Sequence, residues 1–87
     1  MHERALMDDL LGKILEVAGE QGGARVQRIR VRLGALSHFT SAHFREHFDD
    51  AARGTLAEGA EVEAELCEDI TAPEAAGVVL VSVEVAL

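Results

Sequence analysis

The chain opens Met1-His2-Glu3, and these three residues gather several metal donors into one short unit. The α-amine of Met1, the backbone amide of His2 and the His2 imidazole close small chelate rings around an ion, so little loop entropy is lost on binding. Glu3 completes the set through its own amide nitrogen or its carboxylate. Nitrogen-rich planar or tetragonal sites suit nickel(II) or copper(II), and metal-promoted loss of an amide proton strengthens the ligand field. The site needs the initiator methionine to stay, which a bulky second residue such as histidine favours. Amine and imidazole must both be neutral to ligate, so affinity is expected to fall as the pH drops toward about 6. Taken alone, a histidine at position 2 also reads as an ordinary solvated terminal residue.

A second group of donors lies further on. His43 and His47 are four apart, a helical spacing that can bring two imidazoles to one metal. They flank Phe44 and Phe48 and so border a buried face, and no third ligand is dictated locally. A boundary role competes with ligation. His38, just upstream, is a further candidate ligand of the same kind. Cys67, the one cysteine, allows no intrachain disulfide and has no neighbouring Cys or His to form a thiol site; it reads as a small strand-end hydrophobe. Gly22-Gly23 precedes a strand, whereas phosphate-cradling loops open a helix. The acid pairs Asp8-Asp9 and Asp49-Asp50 read as solvated helix residues, and no nucleophile–base arrangement is present. The sequence therefore predicts a protein that is not an enzyme.

The elements that must position these residues follow from periodicity. From Glu3 to about Gln21, Leu6, Leu10, Ile14 and Val17 recur at helical spacing, widened by Leu11, Leu15 and Ala18; this is an amphipathic helix ended by Gly22-Gly23. Residues Arg25 to Leu33 alternate, with Ile29, Val31 and Leu33 inward and Arg28, Arg30 and Arg32 outward, which predicts a half-buried strand. Thr40 or Ser41 is available to cap a short second helix marked by Phe44, Phe48 and Ala51 and closed by Arg53-Gly54. Glu61 to Cys67 alternates again, with Val62, Ala64 and Leu66 inward and Glu61, Glu63 and Glu65 outward. A polar connection from about Glu68 to Gly77 leads to Val78–Leu87, where Val79, Val81, Val83 and Val85 share one face and the other is also rather apolar. A strand apolar on both faces is expected at the centre of a sheet. The predicted fold is α+β and two-layered: helix, strand, helix, strand, strand, with both helices on one face of a three-stranded sheet and the last strand in the middle. The first strand's arginines and the second's glutamates would share the outer face, Arg stems covering apolar surface while their heads meet the acids. That face is alternatively a surface for a second copy of the chain or another partner.

The 87 residues form one domain, 1–87, with no internal repeat. Sixteen acids against eight bases give a net charge of −8, which repels a phosphate backbone and suits divalent cations or basic protein surfaces. No apolar run approaches the ~18 residues of a membrane span. Asp8 and Asp9 interrupt the stretch a signal peptide would need, so a cytoplasmic location is expected.

Several stretches resemble the HypA proteins, nickel metallochaperones of NiFe-hydrogenase maturation, some of which also serve urease. They are Met1-His2-Glu3, Ala5-Leu6-Met7 with Leu10-Leu11, Arg30-Val31-Arg32-Leu33-Gly34-Ala35-Leu36-Ser37, Phe44-Arg45-Glu46-His47-Phe48, Gly54-Thr55-Leu56-Ala57-Glu58-Gly59-Ala60 and Gly77-Val78-Val79-Leu80-Val81-Ser82-Val83-Glu84-Val85. The resemblance covers nearly the whole chain in the family's order. It implies a nickel site at Met1, His2 and Glu3, with His2 indispensable. As partners it implies a nickel-handling GTPase and the hydrogenase large subunit, with the N-terminal helix region at the interface. One departure stands out. Typical HypA proteins carry a zinc ribbon with two Cys-x-x-Cys pairs between their last two major strands, whereas here the corresponding loop, about 68–77, has only Cys67 nearby. Four thiolates cannot be assembled from one cysteine, so no structural zinc is expected. Shortening a loop between strands removes no core residue, so a nickel-binding domain can persist without the ribbon. The competing reading, from a different class, is an adaptor that keeps the fold, binds no metal and docks on a maturation GTPase or complex.

Overall fold

The computed structural model describes residues 2–37, 39–71 and 75–86. The element order is α1 (His2–Glu20), β1 (Val26–Leu33), α2 (Ser41–Ala52), β2 (Glu61–Leu66) and β3 (Val78–Val85), the α+β succession read from the periodicity.

Helix α1 is rotated slightly from its expected stripe. Met7, Leu10, Leu11, Ile14 and Ala18 are buried, while Leu6 and Leu15 pack at the margin of the core. Its end is a Schellman motif: the Gly23 N–H donates to the Ala18 carbonyl at 2.9 Å and the Gly22 N–H to the Gly19 carbonyl at 3.1 Å. That closure requires a left-handed residue, and Gly22 supplies it at φ 76°.

The sheet order is β2-β1-β3, so β1 is central and β3 lies at an edge. This corrects the placement of the last strand. β1 and β2 pair in parallel and β1 and β3 antiparallel. A parallel pair needs a crossover, and α2 provides it, which holds β2 beside β1 and sends the returning chain to β1's other edge. The inward residues of β1, Ile29, Val31 and Leu33, are all buried, and its outer face carries Arg28, half-buried, and Arg30 and Arg32, both exposed. The valines of β3 misled because apolar residues on two faces also suit an edge strand that is only half-covered: no residue of β3 is fully buried.

Two β-bulges set the registers. Arg30 pairs with Ser82 but Val31 pairs with Leu80, leaving Val81 as the extra residue on β3; a matching irregularity between Val26 and Arg28 leaves Gln27 extra on β1. Each bulge shifts the alternation by one residue. Val78, Leu80, Val83 and Val85 therefore pack on the core, whereas Val81 is 45% exposed. The expected single face of Val79, Val81, Val83 and Val85 is accordingly split. Val26 joins Ile29 in the core for the same reason. Leu66 was expected inward but is 53% exposed at the end of the edge strand β2, beside the buried Leu33; Val62 is buried and Ala64 partly so.

α1 packs over β3, α2 over β2, and the helices pack against each other. One core joins all of these, with Phe44, Phe48, Ile14, Ile29, Leu33 and Val31 the largest fully buried side chains. On the opposite face the register places Arg28 against Glu61, Arg30 against Glu63 and Arg32 against Glu65. Arg28 donates from Nε and Nη2 to Glu61 Oε2 at 3.2 and 3.1 Å and from Nη1 to Glu84 Oε2 at 3.4 Å; Arg30 Nε reaches Glu63 Oε2 at 3.0 Å. The hydrogen bond to Glu61, then the charges of Glu61, Glu84 and Glu63, hold the Arg28 guanidinium above its ordinary pKa. No helix among the described residues is long and apolar enough to cross a membrane.

Candidate metal centre

The predicted terminal chelate sits at the start of α1. Met1 lies outside the described residues, as do the side chains of His2 and Glu3; the backbone of His2 and Glu3 is helical. In the first turn of a helix the N–H groups have no intrahelical acceptor. Removing the amide protons of His2 and Glu3 therefore breaks no helical hydrogen bond, and the positive end of the helix dipole favours the negative charge that results. A nitrogen chelate that uses backbone amides is thus compatible with α1 beginning where it does.

His43 and His47 come together on α2. Their Nε2 atoms are 2.7 Å apart and their ring centroids 4.5 Å, with the planes inclined by 55°. Thr40 sets the first turn that positions them. It is the N-cap, and its Oγ1 accepts from the His43 backbone N–H at 3.1 Å. Phe39 then presses edge-on against both imidazoles, with centroids 5.8 Å from His43 and 6.4 Å from His47. Phe39 is itself fixed: it is 4% exposed, packs edge-to-face on Phe44 at 5.6 Å, and its backbone N–H donates to Ser37 Oγ at 3.4 Å. Sequence reasoning missed Phe39 because it precedes the helix, where no periodicity marks it as inward. His38 lies outside the described residues.

Cys67 is a partly buried free thiol just past β2, and its backbone N–H donates to the Leu33 carbonyl at 2.8 Å. Nearby, Asp69 Oδ1 accepts from both the hydroxyl and the backbone N–H of Thr71, at 2.6 and 2.9 Å, which lowers the Asp69 pKa. Among the described residues, no three His, Cys, Asp or Glu side chains converge to hold a metal.

The fold is that of a small α+β domain, and its candidate nitrogen donors fall in the first residues of the chain and on the surface of α2. The HypA family, described as hydrogenase/urease nickel incorporation, metallochaperone, matches residues 1–75. The chain belongs to this family. It is similar to hydrogenase maturation factor HypA of Methylocella silvestris, 38% identical over 66 residues, covering 76% of this chain and 58% of that protein. It is similar to the factors of the same name from Xanthobacter autotrophicus, 40% identical over 71% of this chain and 55% of that protein, and Thermococcus kodakarensis, 38% identical over 72% and 45%. The chain spans about half the length of the curated relatives it matches.

Proposed function

We propose that this protein carries nickel(II) as cargo for the maturation of a nickel enzyme, a hydrogenase in the first instance. In this reading the ion is held by the Met1 amine, the amide and imidazole of His2, and Glu3. The observation that carries the reading is the family match, which begins at residue 1 and so takes in Met1-His2-Glu3. A chelate at a chain end exchanges ligands faster than a buried cage, which suits hand-over to a second protein. The protein acts as a stoichiometric carrier in the cytoplasm, receiving nickel from or passing it to a GTPase and then the hydrogenase large subunit. Residues 1–87 act as one nickel domain in which the β2–β3 connection stands where longer family members carry a zinc ribbon; its single cysteine cannot hold structural zinc.

Calorimetry of untagged protein, verified by mass to retain Met1, tests the assignment. His2→Ala should remove the tight nickel event and leave the thermal unfolding transition unchanged. Equal affinity in the variant would reject the site. Negligible nickel binding by the wild type, with capture of the GTPase persisting after His2→Ala, would support the metal-free adaptor instead.

A further inference from the structure

We propose that His43 and His47 form a second, separate site for a late first-row divalent cation, held in cis by two imidazole nitrogens with water in the remaining positions. The distance is the first ground. With metal–nitrogen bonds of about 2.0–2.1 Å, adjacent positions of a planar or octahedral ion lie about 2.9 Å apart and those of a tetrahedral ion about 3.3 Å. The observed 2.7 Å between the two Nε2 atoms is a few tenths of an ångström from the former, within the reach of a small rotation about the side-chain torsions. That spacing suits two cis positions on a planar or octahedral ion such as copper(II) or nickel(II).

Preorganisation is the second ground. Two imidazoles on one helix face ordinarily lose rotamer freedom on closing around an ion. Here the two rings already lie together, Phe39, anchored in the core, packs edge-to-face on both, and the Thr40 cap fixes the turn that carries His43. His47 is exposed and His43 partly so, which leaves room for coordinated water. The chain's net charge of −8 enriches cations around it.

The chemistry of exchange is simple. In the metal-free pair one Nε2 carries the proton it shares with the other. Both lone pairs must face the metal, so as the ion enters the donor ring gives up its Nε2 proton and takes one up at Nδ1, through solvent, and stays neutral. No other bond changes.

This site does not depend on the terminal chelate, and the test silences the terminus. The full chain, N-terminally acetylated and carrying His2→Ala, is titrated with copper(II), the tightest binder of the series, and examined by pulsed EPR. The expected result is one bound equivalent with two coupled imidazoles. Losing even an outer-shell partner typically weakens a metal site about 10–100-fold, so losing a ligand, by His43→Gln or separately His47→Gln, should cost at least about tenfold. Both positions are on the helix surface, and unchanged thermal unfolding of each variant verifies the fold. Affinity unaltered in either variant, or an EPR signature of a single imidazole, would overturn the proposal and leave the pair as a hydrogen bond only.

Discussion

Replacing Thr40 by alanine removes one hydrogen bond and tests how the start of α2 is held. Thr40 Oγ1 accepts from the His43 N–H at 3.1 Å, satisfying one of the donors that a helix start leaves free. Loss of such a cap costs about 0.5–2 kcal/mol, typically about 1. For 87 residues, a stability of roughly 0.05–0.15 kcal/mol per residue gives about 4–13 kcal/mol in total, so the variant stays folded but measurably weaker. A loss of about 1 kcal/mol corresponds to a fall in Tm of about 4–8 °C for a domain of this size. Differential scanning calorimetry reads this directly, and a urea titration should show a lower midpoint with an unchanged slope. Thr40→Ser keeps the acceptor and should recover most of the loss. If Thr40→Ala unfolds with the wild type, or Thr40→Ser is as weak as alanine, the hydroxyl does not anchor this turn.

Further perturbations probe other levels. Phe48→Ala empties the centre of the core and should cost about 3–5 kcal/mol, read as a large drop in urea midpoint; a change below about 1 kcal/mol would show the site to be loosely packed. The Asp69 carboxyl, stabilised as its anion by Thr71, should titrate by NMR below an ordinary aspartate and move back up in Thr71→Ala. Because the folded carboxyl ionises at lower pH than the unfolded one, its contribution is full above the unfolded midpoint and disappears as the pH falls through the folded one. An unaltered titration in Thr71→Ala would remove that explanation. Gly22→Ala forces a β-carbon into φ 76°, and should lower stability by about 1 kcal/mol by thermal unfolding; an unchanged Tm would mean the helix end relaxes to another closure.

The parts of the fold that alternation could reveal were those without bulges. Ile29, Val31 and Leu33 lie inward as spaced, and Arg28 and Arg30 meet Glu61 and Glu63 across the outer face. Val81 and Leu66 defeated the pattern for different reasons: a bulge displaces the first, and the second is the last residue of an edge strand. The position of β3 was decidable on other grounds, because a strand–helix–strand unit favours a parallel β1–β2 pair and so leaves β3 an edge. In the candidate sites, the spacing of His43 and His47 was visible, but not their 2.7 Å approach or the packing of Phe39 against both rings, whose tertiary contacts leave no local signature. The candidate terminal donors are visible only as residue types, and the helix beginning at His2 adds that the amides of His2 and Glu3 are not needed for α1's own hydrogen bonds.

In the proposed chelate an unblocked amine at Met1 is one of the nickel ligands. The most direct measurement compares the visible ligand-field absorption of nickel(II) added to two preparations of the same untagged chain, one with a free terminus and one enzymatically acetylated. A planar nitrogen-coordinated band should grow to one equivalent in the first and be lost in the second. An identical band in the acetylated protein would contradict the account.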